Sequence, residues 1–246
     1  MKPYNTLITI IIISCLSCST DDNSTMEPND NPLSQIEYFG NLEDLSHNDA
    51  LNNMNNEYAE NLRVRLYNLK AYMSSNKERL KIYDWHDEDT YLLSESDTIN
   101  ASNSIQSFDG THYRQISQYN DRDYFWKTDI WFLFSGIADS VSQSNNHAEG
   151  YHLYLPSSVD AFRDNINWLR RNDSLDLSIK RTSFYYGRKD EQLNINLITK
   201  TGNYSLFDQD ENTLYYYIWD ENGNGTLTQT EYGWNDEIID ENYFSW

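Results

Sequence analysis

The 246-residue chain has two cysteines, Cys15 and Cys18, both within its first 18 residues. The body beyond them has no disulfide and no thiol chemistry, which excludes thioredoxin-like, cysteine-protease and zinc–thiolate functions there. A secreted domain of this length does without disulfides because folding alone buries enough surface. Glycines number 9 and prolines 4, and there is no phosphate-cradling Gly-rich loop, dinucleotide fingerprint or GxSxG elbow. Basic residues are also scarce: 18 Lys and Arg stand against 39 Asp and Glu, a net charge of −21. Such a chain repels nucleic-acid phosphates and anionic lipid, so DNA, RNA and peripheral membrane binding are not expected. After Lys200 the scarcity is complete, with ten acids and no Lys, Arg or His. Long apolar runs are missing too. The longest, residues 7–16 (LITIIIISCL), is too short for a bilayer span.

That run suits a signal-peptide core, with Lys2 before it and Ser17, Cys18, Ser19, Thr20, Asp21 and Asp22 after it. The arrangement resembles a bacterial lipoprotein signal, in which a Cys after a small residue becomes the lipidated first residue of the mature protein. The resemblance implies a signal peptide over 1–17 and lipidation at Cys18. Cys15 after Ser14 is the alternative site, and an ordinary cleaved secretory peptide is the other reading. The Ser and acidic residues behind Cys18 resemble the export signal of surface lipoproteins in the Bacteroidetes group. They imply a protein lipid-anchored to the bacterial outer membrane and exposed at the surface. Residues 18–45 are polar, contain Pro28 and Pro32, and read as a flexible tether.

Residues 46–206 read as an α+β body: an N-terminal helical part, then a small antiparallel sheet. Ser46, with Asp49 three residues on, caps an expected helix reaching about Tyr83. Its apolar stripe is Leu51, Met54, Tyr58, Leu62, Leu66, Leu69 and Met73. Short strand-like pieces occur at 91–93 and 112–116. Residues 124–141 fit either a buried helix or a central strand followed by a helix, which periodicity does not separate. Ser158 would cap a short helix carrying Val159, Phe162, Ile166 and Leu169. Leu175, Leu177 and Ile179 alternate, as do Leu193, Ile195 and Leu197, with a hairpin connection over 187–191 and a second turn at Gly202 and Asn203. The five His are scattered; HAEGYH at 147–152 lacks zinc-protease spacing, and surface His among acids is the reading preferred.

The stretch with the most specific spacing is 220–231, DENGNGTLTQTE. Asp220, Asn222 and Asn224 alternate, Gly225 stands sixth, and Glu231 closes at the twelfth position. This resembles the calcium loop of the EF-hand family, which needs side-chain oxygens at positions one, three and five and a backbone carbonyl at seven. It also needs a Gly at six and a bidentate acid at twelve. The resemblance implies Ca2+ as cofactor, held by Asp220, Asn222, Asn224, the Thr226 carbonyl, Thr228 through water, and Glu231. It further implies an EF-hand-like helix–loop–helix over 207–246, with Asp210 capping the incoming helix. A metal-free β-hairpin would produce much of the same pattern, because Asn-Gly is a turn signal and TLYYYIW is rich in strand formers. The expected function is calcium binding by a membrane-anchored extracytoplasmic lipoprotein, the ion being mainly structural and the protein non-enzymatic. The alternative is an extracellular hydrolase or a glycan-binding protein with calcium as accessory. A glycan or partner protein is the ligand class left open for the body; exposed Tyr and Trp stack on sugars, but aromatics also build cores.

Overall fold

The computed structural model describes residues 37–80, 90–92, 103–108, 112–119, 122–131, 134–155, 163–183 and 187–246. Cys18 and Ser158 lie outside the described residues. The chain forms one thirteen-stranded antiparallel sheet in which spatial order equals chain order. The strands are β1 (Thr90–Leu92), β2 (Asn103–Phe108), β3 (His112–Tyr119), β4 (Arg122–Trp131), β5 (Phe134–Ser144), β6 (Glu149–Tyr154) and β7 (Arg163–Arg171). They continue as β8 (Ser174–Ser183), β9 (Gly187–Asn196), β10 (Gly202–Asp208), β11 (Thr213–Trp219), β12 (Gly225–Tyr232) and β13 (Ile238–Ser245). Helix is confined, among the described residues, to a 3-10 turn at Leu42–Leu45, α1 (Asp49–Asn52) and α2 (Glu57–Arg79).

The expectation of an α+β body ending in a helix–loop–helix is therefore overturned. Residues 207–246, expected as an EF-hand-like module, continue the same sheet through β11, β12 and β13. Local chemistry explains it. TLYYYIW consists of aromatic and branched residues that fit a pleated, half-buried surface. Its burial follows a period of two: Thr213, Tyr217 and Trp219 are buried, whereas Tyr216 and Ile218 face solvent. The expected helix over Ile166 and Leu169 is β7 instead, with Asp164, Ile166 and Trp168 buried at alternate positions. Residues 124–141 are divided between β4 and β5, so neither half is helical. The expected hairpin connections are displaced: Gly187 opens β9 and Gly202 opens β10.

The N-terminal helix is real but interrupted. Asn48 caps α1, its Oδ1 accepting from Leu51 N–H at 2.8 Å, and Asn56 caps α2 by accepting from Tyr58 N–H at 2.8 Å. The expected stripe is the buried one, with Leu62, Leu66, Leu69 and Met73 in the core. Glu37 onward already belongs to the fold, since Tyr38 and Phe39 are buried and Phe39 N–H donates to Gln143 Oε1 at 3.1 Å.

α2 crosses the strands rather than running along them. Tyr58 stacks on Phe244 of β13 with ring centroids 4.4 Å apart, and Arg65 Nε donates to Tyr217 Oη of β11 at 3.3 Å. Tyr72 Oη donates to Asp164 of β7, and the Arg79 guanidinium lies 3.9 Å from the Tyr154 ring of β6. Seven inter-strand steps of about 4.8 Å separate β13 from β6, roughly 34 Å, which matches the length of a helix of this size at about 1.5 Å per residue. The helix thus roofs eight strands. Beneath it runs a register row of Trp168, Leu177, Leu193, Tyr204, Tyr217, Leu227 and Phe244. Gly150 begins that row, because a Cβ there would sit 2.0 Å from the Trp168 ring. The opposite face of the sheet carries no helix among the described residues.

Candidate functional site

The turn between β11 and β12 holds the first half of the expected calcium ligands. Asp220 Oδ1 accepts from the backbone N–H of Asn222 and of Asn224, each at 2.9 Å, and Asn224 Nδ2 donates to Asp220 Oδ2 at 3.3 Å. Asp220 N–H donates to the Asn224 carbonyl at 2.9 Å, closing the hairpin. Asp220, Asn222 and Asn224 are exposed, so three oxygen-bearing side chains gather on one tight turn.

The structure does not bring the rest to them. Thr226 and Thr228 are in β12 on the open face, paired with Ile218 and Tyr216. Glu231 lies six strand residues beyond Gly225, about 20 Å at the usual rise, and alternation points it to the helix-covered side. Its register partners are Thr213 and Asp240. Among the described residues no group of three or more His, Cys, Asp or Glu side chains is close enough to hold a metal.

Packing accounts for the glycine and amide pattern of the turn. The Gly223 φ is +80°, and a Cβ there would come within 2.6 Å of the Ala50 backbone. The turn is docked on α1: Asn48 Nδ2 donates to the Asp220 carbonyl at 2.8 Å. Trp246 Nε1 donates to the Gly223 carbonyl at 2.8 Å, tying β13 to the same corner.

His152, expected at the surface, is fully buried with Nδ1 3.0 Å from Tyr38 Oη. Under the helix lies a polar cluster in place of a cofactor site. Tyr72 meets Asp164, Arg181 pairs with Glu191 at 2.8 Å, and Tyr204 Oη donates to Glu191 at 2.8 Å. Burial raises the Asp164 carboxyl above its ordinary value, offset in part by the Tyr72 hydrogen bond and Arg181. Burial also pushes the Tyr72 and Tyr204 hydroxyls well up. These groups are enclosed and paired with one another, although Asp164 Oδ1 and Arg181 Nε have no hydrogen-bond partner among the described residues.

Among the described residues an accessible concavity lies on the open face. A shallow depression of about 260 Å³ spans β7 to β10; its polar lining is Asn167, Asp176, Ser178, Gln192, Asn194 and Asn203, and Leu169 is among its apolar groups. Asn194 Nδ2 donates to Asp176 Oδ1, and Asn167 Nδ2 donates to Asn165 Oδ1 at 2.9 Å. The side chains of Ser178, Gln192 and Asn203 make no hydrogen bond to other described residues. One register row runs Tyr151, Asn167, Ser178, Gln192, Ser205, Tyr216, so two exposed tyrosines frame a strip of amides and hydroxyls. Asp176 is the only carboxylate of the lining. Sequence reasoning used the apolar half of the alternation in β9, Leu193 and Ile195, and missed the polar half, Gln192 and Asn194. Reading both faces of the same run would have exposed this strip.

No family model, curated protein or solved structure matches this chain. No helix among the described residues is long and apolar enough to cross a membrane.

Proposed function

We propose that this protein is a non-catalytic, extracytoplasmic binding protein, tethered by lipid at Cys18, whose open sheet face receives an uncharged, hydroxyl-rich ligand of the glycan class. The observation that carries this reading is the amide-lined depression over β7–β10 between Tyr151 and Tyr216. Amides offer both donors and acceptors to hydroxyl groups, and tyrosine faces stack on sugar rings. Successive strands place equivalent side chains about 4.8 Å apart, close to the repeat of an extended sugar chain. The net charge of −21 disfavours anionic ligands. Hydrolysis of a glycoside uses two carboxyl groups flanking the bond, and this lining supplies Asp176 alone. A neutral-glycan array followed by calorimetry tests the reading. Gln192→Ala, Asn203→Ala and Tyr216→Ala should each weaken binding by about tenfold or more, the loss of roughly 1.4 kcal/mol, without lowering the melting temperature. Absence of binding to every neutral glycan, or binding indifferent to all three substitutions, overturns it.

Calcium at the β11–β12 turn is the second reading, favoured by the place of Asp220, Asn222 and Asn224 on one exposed turn. A site with a single carboxylate binds weakly, with a dissociation constant toward about 10⁻⁴–10⁻³ M. Glu231 is remote from the turn, so Glu231→Gln should leave calcium binding unchanged while Asp220→Asn removes it. Calorimetry showing sub-micromolar affinity, or no calcium binding at millimolar ion, defeats this reading.

A further inference from the structure

We infer that β13 is a docking edge, where an extended segment of another protein adds as one more strand, with basic residues facing Asp240 and Glu241 and apolar residues facing Ile239 and Tyr243. The inference is independent of the ligand assigned to the open face.

β13 stands at the end of the sheet and pairs with β12 alone. Gly225 and Trp246 exchange both backbone hydrogen bonds, 3.2 and 3.1 Å. By the alternation of an antiparallel ladder, Phe244, Asn242 and Asp240 also direct their backbone groups at β12. Glu241, Tyr243 and Ser245 therefore direct theirs away from the sheet, while Ile239 stands at a register shift opposite Glu231 and Tyr232. Glu241 N–H is met by the Asp240 carboxylate at 3.0 Å; the others form an open template for strand addition.

Exposed edges are usually blunted by shortness, Pro, Lys or a covering segment. β13 is eight residues long and has neither Pro nor Lys. Its acids discourage self-pairing, because two copies edge to edge would bring Asp240 and Glu241 of each together. Edge protection does not explain the apolar groups, however. Ile238 is 59% exposed, Ile239 65% and Tyr243 69%, and Trp234 on the preceding turn is fully exposed. Among the described residues, no ion pair reaches Asp240 or Glu241. An unneutralised acidic pair between exposed apolar residues is complementary to one kind of strand: apolar, basic, basic, polar, apolar.

Hydrogen exchange by NMR on the full-length protein, with synthetic peptides as probes, tests this. The peptide TVKRTVT and its reverse, TVTRKVT, offer the pattern in parallel and antiparallel directions; TVEDTVT is the acidic control. One basic peptide should slow exchange at the Tyr243 and Ser245 amides by at least tenfold and leave β12 amides unchanged, and the control should have no effect. The double substitution Asp240→Lys, Glu241→Lys should transfer this protection to the acidic peptide. Tyr243→Pro should abolish it in a folded protein, because that N–H faces away from β12 and an edge tolerates Pro. No protection at these two alternate amides with millimolar peptide overturns the proposal, as does uniform protection lost in moderate salt. Concentration-dependent dimerisation of the protein alone, seen by sedimentation, overturns it in favour of a second copy.

Discussion

Asp164 is the residue whose chemistry the fold constrains most. It is 5% exposed, its Oδ2 accepts from Tyr72, and its Oδ1 has no hydrogen-bond partner among the described residues. Burial raises its folded-state pKa above the ordinary 3.8, so the folded protein holds this proton more firmly than the unfolded chain does. The contribution of this group to stability is therefore greatest at low pH. It declines as pH rises from about 3.8 through the raised value, and is constant above that. Asp164→Asn keeps an acceptor for Tyr72 and removes the titration. The stability of the Asn variant relative to the parent should rise through that window, by at most about 1.4 kcal/mol per pH unit. Denaturant unfolding of both proteins across the acid range measures it, and a difference independent of pH contradicts the assignment. Gly225 makes the complementary point about residues that look functional in sequence. Its place at the sixth position of an apparent metal loop also meets a steric requirement, since a Cβ there would sit 2.1 Å from the Trp246 ring.

At the scale of elements, α2 organises the molecule, since one helix contacts strands from β6 to β13. Leu66, on its buried face, is 1% exposed, and Val64 on the outer face is 51% exposed. Leu66→Ala should cost about 2–5 kcal/mol and lower the melting temperature cooperatively, whereas Val64→Ala should stay within about 0.5 kcal/mol. Equal effects of the two would mean that the helix does not hold the sheet. This helix was legible in the sequence because a stripe at steps of three and four has no good strand interpretation. β8 and the apolar side of β9 were legible because Leu175, Leu177 and Ile179, and then Leu193 and Ile195, alternate cleanly. β7 was missed because Ile166 and Leu169 are three apart, although Leu169 is on the open face and Trp168 in the core. β11 was missed because the oxygen spacing of 220–231 outweighed the plain strand propensity of TLYYYIW. The sheet's extent was legible only in pieces, at 91–93 and 112–116, which fall on β1 and β3. A polar meander strand such as β2 pairs with neighbours on both sides, and that cooperation leaves little mark on the single strand.

For the whole molecule, the two faces of one sheet have different roles. The roofed face supplies the hydrophobic core, and the open face and the β13 edge are the surfaces proposed to bind. Lipid at Cys18 and the polar segment behind it are proposed to hold those surfaces at a membrane. Cys18→Ser should move the protein from the membrane fraction to the soluble fraction while leaving its melting temperature unchanged. If Cys15→Ser does so instead, the anchor lies at the earlier position.

The crossing of α2 over the sheet also sets an order of events. The helix is translated before any of the strands it covers, and its first turn meets β13, the thirteenth of the described strands in chain order, through Tyr58 and Phe244. Until that strand arrives, the apolar stripe from Leu62 to Met73 has an incomplete partner. A chain that has not yet reached β13 therefore has not completed its core, and native packing of α2 waits on the thirteenth strand.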